Sequence, residues 1–244
     1  MTYPSILDML QAGVHFGHQV SRWHPKMKQF IFGDRNRIHI INLEETEKQL
    51  KAIMPQVKQM AAEGKTILFV TTKPQARELV KAAAEECGMP FLVDRWLGGM
   101  LTNFPEMRKL IKSYVGTKAK LVAGELGNYT KKEQLEIARK IGKQDSYLGG
   151  LATLDRMPDA LFIPSVQREK TAVVEANKMN VPIIGLCDTN ANPAKVTFPI
   201  PANDDAVKSL TLLVNLVSAT IKEGKDEAAM AKPATPVAPT PTQV

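Results

Sequence analysis

Short, continuous runs of apolar residues, separated by stretches with helical spacing, restrict the fold of this chain more than any other feature. We interpret six runs as strands, at residues 37–43, 66–71, 91–94, 160–163, 183–187 and 196–200. Helical patterns lie between or after them, at residues 45–63, 74–87, 169–179 and 204–222. Strands without polar alternation are typical of parallel sheets that helices cover on both faces. The pattern therefore predicts an α/β protein with a doubly wound parallel sheet, flavodoxin-like or Rossmann-like.

The interval 104–157 is too long for an ordinary connection between neighbouring strands and has a helical pattern of its own. Its first half has spacings of three and four residues through Phe104, Met107, Ile111, Tyr114, Lys118 and Leu121. Thr130, with Glu133 three residues later, has the pattern of a capping box that starts a second helix. We expect an inserted, protruding α-helical coiled-coil hairpin.

These patterns predict three parts of the chain. Residues 1–103 and 158–225 form the α/β globular domain, and residues 104–157 form the helical hairpin. Asp204 and Asp205 are interpreted as the start of the last long helix, where negative charge is favourable. Residues 226–244 are rich in Ala, Pro and Thr and lack periodicity, so we expect a disordered tail.

The charge of the chain is positive and unevenly distributed. Lys and Arg number 32 against 25 Asp and Glu, a net charge of +7. Residues 1–60 have a net charge of +3 and residues 104–157 a net charge of +5, whereas residues 158–244 have a net charge of −1. Two separate basic regions favour a polyanionic partner more than an evenly solvated surface would.

The sequence contains none of the common signatures of nucleotide-dependent enzymes. No two glycines are spaced i, i+2, so a GxGxxG fingerprint is absent. The tripeptide Gly64-Lys65-Thr66 precedes its predicted strand, whereas a phosphate-binding loop must follow one. There is also no GxSxG or HExxH motif. We therefore expect a protein that is not an enzyme and that binds no ATP, GTP or NAD.

The chain also lacks an obvious targeting or membrane segment. Its N-terminus has no positive stretch followed by a long apolar run, and no window approaches the roughly 18 apolar residues that span a bilayer. The two cysteines, Cys87 and Cys187, are a hundred residues apart. We interpret both as small, buried apolar residues of a protein in a reducing compartment. We expect a cytoplasmic protein without a membrane partner.

Three of the four histidines fall within the sequence GVHFGHQVSRWHPKM. His18 could bind a zinc or similar divalent ion together with three acidic residues near predicted strand ends, Asp188, Asp204 and Asp205. The alternative is that the histidines cap turns or touch phosphate and that the aspartates begin helices. The sequence offers no ligand spacing that decides between them.

Cationic side chains and a tryptophan alternate near the N-terminus, and this mixture suits RNA. The candidate RNA-binding residues there are Arg22, Trp23, Lys26, Lys28, Arg35 and Arg37. Further candidates, some in the predicted hairpin, are Arg95, Asn103, Arg108, Lys109, Lys112, Lys131 and Lys132. Trp23 and Trp96 could equally belong to the core, and Arg95 and Asn103 could satisfy buried carbonyl groups instead of phosphate.

Several long stretches together resemble the bacterial ribosomal protein S2 family of the small subunit. They are AGVHFGHQVSRWHPKMKQFIFGDRNRIHIINLEET, DRWLGGMLTNF, PDALFIPS, EANKMNVPIIGLCDTNANP and IPANDDA, in that order. The resemblance covers nearly the whole chain except the tail. It implies a parallel α/β domain with a protruding helical hairpin, binding to small-subunit rRNA in the head region, and a role in the joining of ribosomal protein S1 to the 30S subunit.

Overall fold

The computed structural model describes residues 3–125 and 130–231. The helices are α1 (Ile6–Gln11), α2 (Leu43–Ala62), α3 (Pro74–Glu86), α4 (Phe104–Val122), α5 (Lys131–Leu148), α6 (Lys170–Lys178) and α7 (Val207–Ala231). The strands are β1 (Phe16–Gln19), β2 (Ile31–Arg35), β3 (Ile38–Ile41), β4 (Ile67–Val70), β5 (Phe91–Leu92), β6 (Ala160–Ile163), β7 (Ile183–Cys187) and β8 (Phe198–Pro201).

Five parallel strands form the centre of the fold in the order β5-β4-β6-β7-β8. Numbered within this sheet, the order is 2-1-3-4-5, the flavodoxin-like arrangement. Every residue of β4, β6 and β7 is buried, as expected of strands that are covered on both faces. One core, with Phe69 edge-on to Phe162, contains residues of α2, α3 and α7, and a second core on the other face contains residues of α4, α5 and α6. The predicted doubly wound parallel sheet is confirmed.

The first predicted strand exists, but its assignment to the parallel sheet is wrong. The run 37–43 forms β3, which pairs antiparallel with β1 and β2 in a separate three-stranded sheet. A two-residue turn connects β2 to β3, and both of its residues, Asn36 and Arg37, have positive φ, at 53° and 62°. Two-residue turns with positive φ match the twist of an antiparallel hairpin. The apolar run therefore pairs with β2 and does not join the parallel sheet. The prediction missed β1 and β2 because both contain glycine and polar residues.

The two helices of the insertion begin as the sequence indicates. Thr130 and Glu133 form the reciprocal hydrogen bonds of a capping box at the start of α5. Helices α4 and α5 contact each other where the Tyr114 hydroxyl donates to the Asp145 carboxylate and Lys118 forms an ion pair with the same group. The coiled-coil packing and the protrusion of this pair remain predictions, and residues 126–129 of its connection lie outside the described residues.

The last helix differs from the prediction at both ends. It begins at Val207, so Asp204 and Asp205 precede it and do not form its first turn. It continues to Ala231, so residues 226–231 of the expected disordered tail are helical. These residues, DEAAMA, are mostly good helix formers, and the first proline of the tail comes only at position 233. Residues 232–244 lie outside the described residues. Over residues 3–125 and 130–231, no helix has the length and apolarity that crossing a bilayer requires.

A buried carboxylate holds the segment that leads into α4. Glu175, on α6, is only 8% exposed and accepts a hydrogen bond from the Trp96 indole at 3.0 Å. It also accepts the backbone N–H groups of Gly99 at 2.9 Å, Leu101 at 3.1 Å and Thr102 at 3.2 Å. Gly99 has a φ of 86°, where a side chain would be strained. Trp96 thus belongs to the core, and the motif RWLGGMLTN folds around one charged group.

The environment of Glu175 favours its charged form. Burial alone would raise the pKa of this carboxyl, but the hydrogen bonds from Trp96 and the three backbone amides outweigh burial and lower it. A carboxyl whose pKa is lower in the folded state contributes stability above its ordinary pKa and loses that contribution as the pH falls.

We therefore predict that Glu175→Gln lowers the free energy of unfolding at neutral pH by roughly 1–3 kcal/mol, because an amide leaves some of these buried donors unsatisfied. The deficit should shrink as the pH falls from the ordinary glutamate pKa of 4.5 through the lower pKa of the folded state, below which the wild-type carboxyl is neutral as well. Urea unfolding across this pH range measures both effects. Glu85→Gln, at an exposed position of α3, is the control, and a deficit for Glu175→Gln that stays constant with pH would contradict the assignment.

Candidate nucleic-acid surface and acidic cluster

Loops after four strands of the parallel sheet meet at its carboxyl edge. Lys73 follows β4, Ser165 follows β6, Asp188 follows β7 and Asp204 follows β8. Ser165 donates to Asp204 Oδ2 at 2.6 Å, so the loops after β6 and β8 are joined directly. In doubly wound sheets this edge is where ligands usually bind.

The N-terminal segment of this chain lies across that edge. The backbone N–H of His18 donates to Thr189 Oγ1 at 2.9 Å, and the backbone N–H of His24 donates to the Thr189 carbonyl at 2.8 Å. A Cβ atom on Gly17 would lie 2.5 Å from Thr189 Cγ2, so only glycine allows this approach. The pairing of β1 with β3 shifts register between Phe16 and Gln19, and this irregularity lets His18 point at the parallel sheet.

The four predicted metal-ligating residues come together at this edge. His18 Nδ1 lies 3.0 Å from Asp188 Oδ2, and His18 Nε2 lies 3.4 Å from Asp205 Oδ2. One ligand atom from each of His18, Asp188, Asp204 and Asp205 lies within 4.8 Å of the others. The set contains one imidazole and three carboxylates, a donor combination that zinc and similar divalent ions accept.

A lysine that the sequence analysis missed also enters this cluster. Lys73 Nζ lies 3.0 Å from Asp204 Oδ1 and 2.6 Å from Asp205 Oδ1, and it donates to the Asp204 backbone carbonyl as well. No local motif connects a residue after β4 with a loop that is more than 130 positions away. Only the parallel sheet, which gathers the ends of its strands, could have indicated this contact.

The pKa values of the cluster follow from these contacts. The hydrogen bond to Asp188 raises the pKa of His18 despite partial burial. Burial, with the charge of Asp188, raises the pKa of Asp204. Burial opposes the charged forms of Asp205 and Lys73, but their mutual hydrogen bond and the charge of Asp204 beside Lys73 outweigh it, which lowers the pKa of Asp205 and raises that of Lys73. The arrangement can therefore act as a network of ion pairs or as a set of metal ligands.

The usual nucleotide crevice between β4 and β6 is bridged by the chain itself. Glu169 Oε1 accepts the backbone N–H of Thr72 at 2.6 Å and its hydroxyl at 2.7 Å. The helix after β4 begins with Pro74, which has no N–H to offer a phosphate. The absence of nucleotide binding remains a prediction, and these contacts give it a physical reason.

The predicted RNA-binding cations near the N-terminus are all at the surface. Arg22, Lys26, Lys28, Arg35 and Arg37 are exposed, and within residues 3–125 and 130–231 none of them forms an ion pair with an acidic side chain. Their charge is therefore free for an external anion. Arg37 also has a positive φ, in a turn that projects from the sheet.

The aromatic residues of this region divide between core and surface. Trp23 is 37% exposed, and its ring lies against the buried His39 at a centroid distance of 5.4 Å. Phe30 is buried, whereas Phe32, two residues later, is 80% exposed. The sequence analysis did not single out Phe32, and strand alternation could not have placed it, because the pairing of β2 with β3 shifts register between Ile31 and Gly33.

The other predicted RNA-binding residues lie on α4, on α5 and on the segment before them. Among them, Lys109 forms an ion pair with Glu106 at 2.7 Å. The structure exposes all of them: Arg95, Asn103, Arg108, Lys109, Lys112, Lys131 and Lys132. In the described part of the chain the side chains of Arg95 and Asn103 form no hydrogen bond with a buried carbonyl, so the contacts do not support that alternative. Lys131 and Lys132 occupy the first turn of α5, where positive charge opposes the helix dipole.

Comparison with known proteins gives one consistent family. Residues 9–224 match the family model described as ribosomal protein S2. The chain is 46% identical over 221 residues to the small ribosomal subunit protein uS2 of Campylobacter jejuni, with 91% of this chain and 84% of that protein covered. The uS2 proteins of Sulfurimonas denitrificans and Coprothermobacter proteolyticus are 45% and 43% identical, with 89% and 93% of this chain and 84% of each relative covered. The chain therefore belongs to the ribosomal protein S2 family.

Proposed function

We propose that this chain is a structural constituent of the small (30S) ribosomal subunit in the cytoplasm and that it binds small-subunit rRNA in the head region. The observation that carries the proposal is the exposed group of cations near the N-terminus, Arg22, Lys26, Lys28, Arg35 and Arg37, without acidic partners among the described residues. The relatives are named small ribosomal subunit proteins. Because the family is one of structural ribosomal proteins, the prediction that the chain is not an enzyme is confirmed.

The physical basis of the binding is neutralisation of phosphate. A cation that replaces a condensed counterion on RNA releases that counterion, so affinity depends steeply on salt. Because these side chains have no internal ion pairs to break, the chain gives up little when they meet phosphate. The N-terminal segment that carries them is fixed to the parallel sheet at Thr189, so part of the surface is ordered before RNA arrives.

Helices α4 and α5 supply a second basic surface in the proposal. Residues 104–157 have eleven basic and six acidic side chains, and Arg108 and Lys112 are exposed without ion pairs in the described chain. We propose that this pair of helices contacts rRNA as well. From the resemblance to the family we also propose that the chain helps ribosomal protein S1 to join the subunit.

We predict that changing Arg22, Lys26 and Lys28 together to Gln weakens association with S2-depleted 30S particles. It should also reduce the slope of log affinity against log salt by about two to three, since each phosphate contact contributes roughly 0.9. The measurement is co-sedimentation over a series of salt concentrations. The control changes Lys48, Lys51 and Lys65 to Gln, which removes the same charge from lysines that pair with glutamates.

An unchanged slope in the folded N-terminal variant would show that these cations do not contact phosphate, and an equal loss in the control would show that only net charge matters; either result would refute the surface. Wild-type chain that stays in the supernatant at low salt would refute the function itself.

For the cluster at the carboxyl edge we propose a divalent metal ion, zinc or similar, held by His18, Asp188, Asp204 and Asp205. The support is the convergence of their ligand atoms within 4.8 Å. Lys73 is the internal competitor, because its ammonium group contacts Asp204 and Asp205. A bound metal would connect the N-terminal segment to the parallel sheet more firmly than the ion pairs do.

We predict about one metal ion per chain in the purified wild-type protein and none in the double variant His18→Ala, Asp188→Asn, by elemental analysis. Chelation should lower the melting temperature of the wild type, because an ion that binds only the folded state stabilises it. Lys73→Gln should retain the metal, since it leaves all four ligands in place. Equal metal content in wild type and double variant, or none in either, would mean that the cluster is an ion-pair network only.

A further inference from the structure

The outward face of the three-stranded sheet exposes apolar side chains. Phe16 pairs with Ile40, and Ile40 pairs with Gly33, so these three positions form one row across the sheet. Residues directly opposite each other in antiparallel strands project to the same face. Phe16 is 49% exposed, and Ile38, two residues before Ile40 and so on the same face of β3, is 37% exposed.

Gly33 leaves a gap in this row. A Cβ atom built on Gly33 would have no other heavy atom within 4 Å, and the φ of Gly33 is not in the positive region. The fold therefore does not need glycine at this position. Glycine in a strand weakens it relative to a β-branched residue. The space above the Gly33 backbone is therefore open, and the apolar side chain of Ile40 lies beside it.

Phe32 lies next to this gap and extends into solvent. Ile31 pairs with Ile41 and Gly33 pairs with Ile40, so β2 has one extra residue there, Phe32. Bulges of this kind re-aim a side chain away from the regular pleat. At 80% exposed, the Phe32 ring offers nearly a whole aromatic face to a partner.

The charges around this face select the chemistry of the partner. Arg35 pairs with Ile38 and shares its face, and Arg37 lies in the adjoining turn. The nearby acidic residue, Asp34, pairs with His39 across the strands, and in the described chain its carboxylate forms no ion pair with Arg35 or Arg37. A partner that fits must combine negative charge with flat, apolar surfaces.

Unpaired nucleotides have this combination. Duplex RNA presents phosphates and hides its base faces in the stack, whereas single-stranded loops and bulges expose bases that stack on aromatic side chains. We propose that the outward face of β1, β2 and β3 binds unpaired nucleotides, with one base on Phe32, a second over the bare backbone at Gly33, and phosphates at Arg35 and Arg37. The proposal rests on the proposed rRNA binding and specifies which kind of RNA this surface takes.

The test compares two probes that have equal numbers of phosphates, an unstructured single-stranded oligoribonucleotide and an RNA duplex. Fluorescence anisotropy with the full-length chain measures both affinities. Phe32→Ala should weaken binding to the single strand by roughly tenfold, the effect of losing one base–aromatic stack, and leave duplex binding and the salt slope unchanged. Gly33→Val should weaken single-strand binding in the same way without lowering the melting temperature, because its side chain fills open space.

The control is Val174→Ala, at a valine that is 57% exposed on α6, and both of its RNA affinities should equal those of the wild type. If the wild-type chain binds RNA and both variants keep its single-strand affinity, the proposed binding of unpaired bases at Phe32 and Gly33 is wrong, while the proposed function stands. If the two variants lost equal affinity for the single strand and for the duplex, the proposed binding of unpaired bases would also be wrong. Variants with normal RNA affinity that fail to enter 30S particles would assign this face to a protein. A wild type that binds neither probe would refute both proposals.

Discussion

The contact between the N-terminal segment and Thr189 is the interaction on which the proposed interface depends. Gly17 packs against the Thr189 side chain, and the backbone amides of His18 and His24 donate to the same residue. This contact places a three-stranded antiparallel sheet against the carboxyl edge of the parallel sheet, where related folds bind small ligands. A position that other doubly wound proteins keep open is covered here by the chain itself, and the covering segment carries the exposed cations.

The electrostatics of the molecule follow from this arrangement. On the inner side, the acidic groups at the sheet edge are balanced by Lys73 and by His18, whose pKa the Asp188 hydrogen bond raises. On the outer side, cations such as Arg22 and Arg35 remain without partners in the described chain. The acidic groups at the sheet edge are thus paired, whereas the exposed cations of the N-terminal region have no acidic partner in the described chain and can meet phosphate. The carboxylate of Glu175 has a comparable role at the base of α4, where it orders the segment 96–102 through backbone amides.

Much of the parallel sheet could be predicted from the sequence because its strands are buried on both faces. Apolar runs mark such strands directly, and β6 and β7 have the predicted bounds. The antiparallel sheet could not be predicted in this way, since β1 and β2 contain glycine, polar residues and register shifts that obscure the alternation. The acidic cluster was predictable in part, because Asp188 and Asp204 follow strands that end at one edge. Lys73 and Glu175 were missed, since each acts through contacts distant in sequence that no local motif reports.

Native-state hydrogen exchange of the free chain tests the central claim most directly. If the N-terminal segment is fixed to the sheet edge before RNA binds, the amides of His18 and His24 should be protected like those of the parallel sheet. In Gly17→Val, whose side chain would collide with Thr189, protection of residues 16–41 should fall while β4, β6 and β7 stay protected. Unprotected exchange throughout residues 16–41 in the free wild-type chain would contradict the account, because the surface would then form only on its partner.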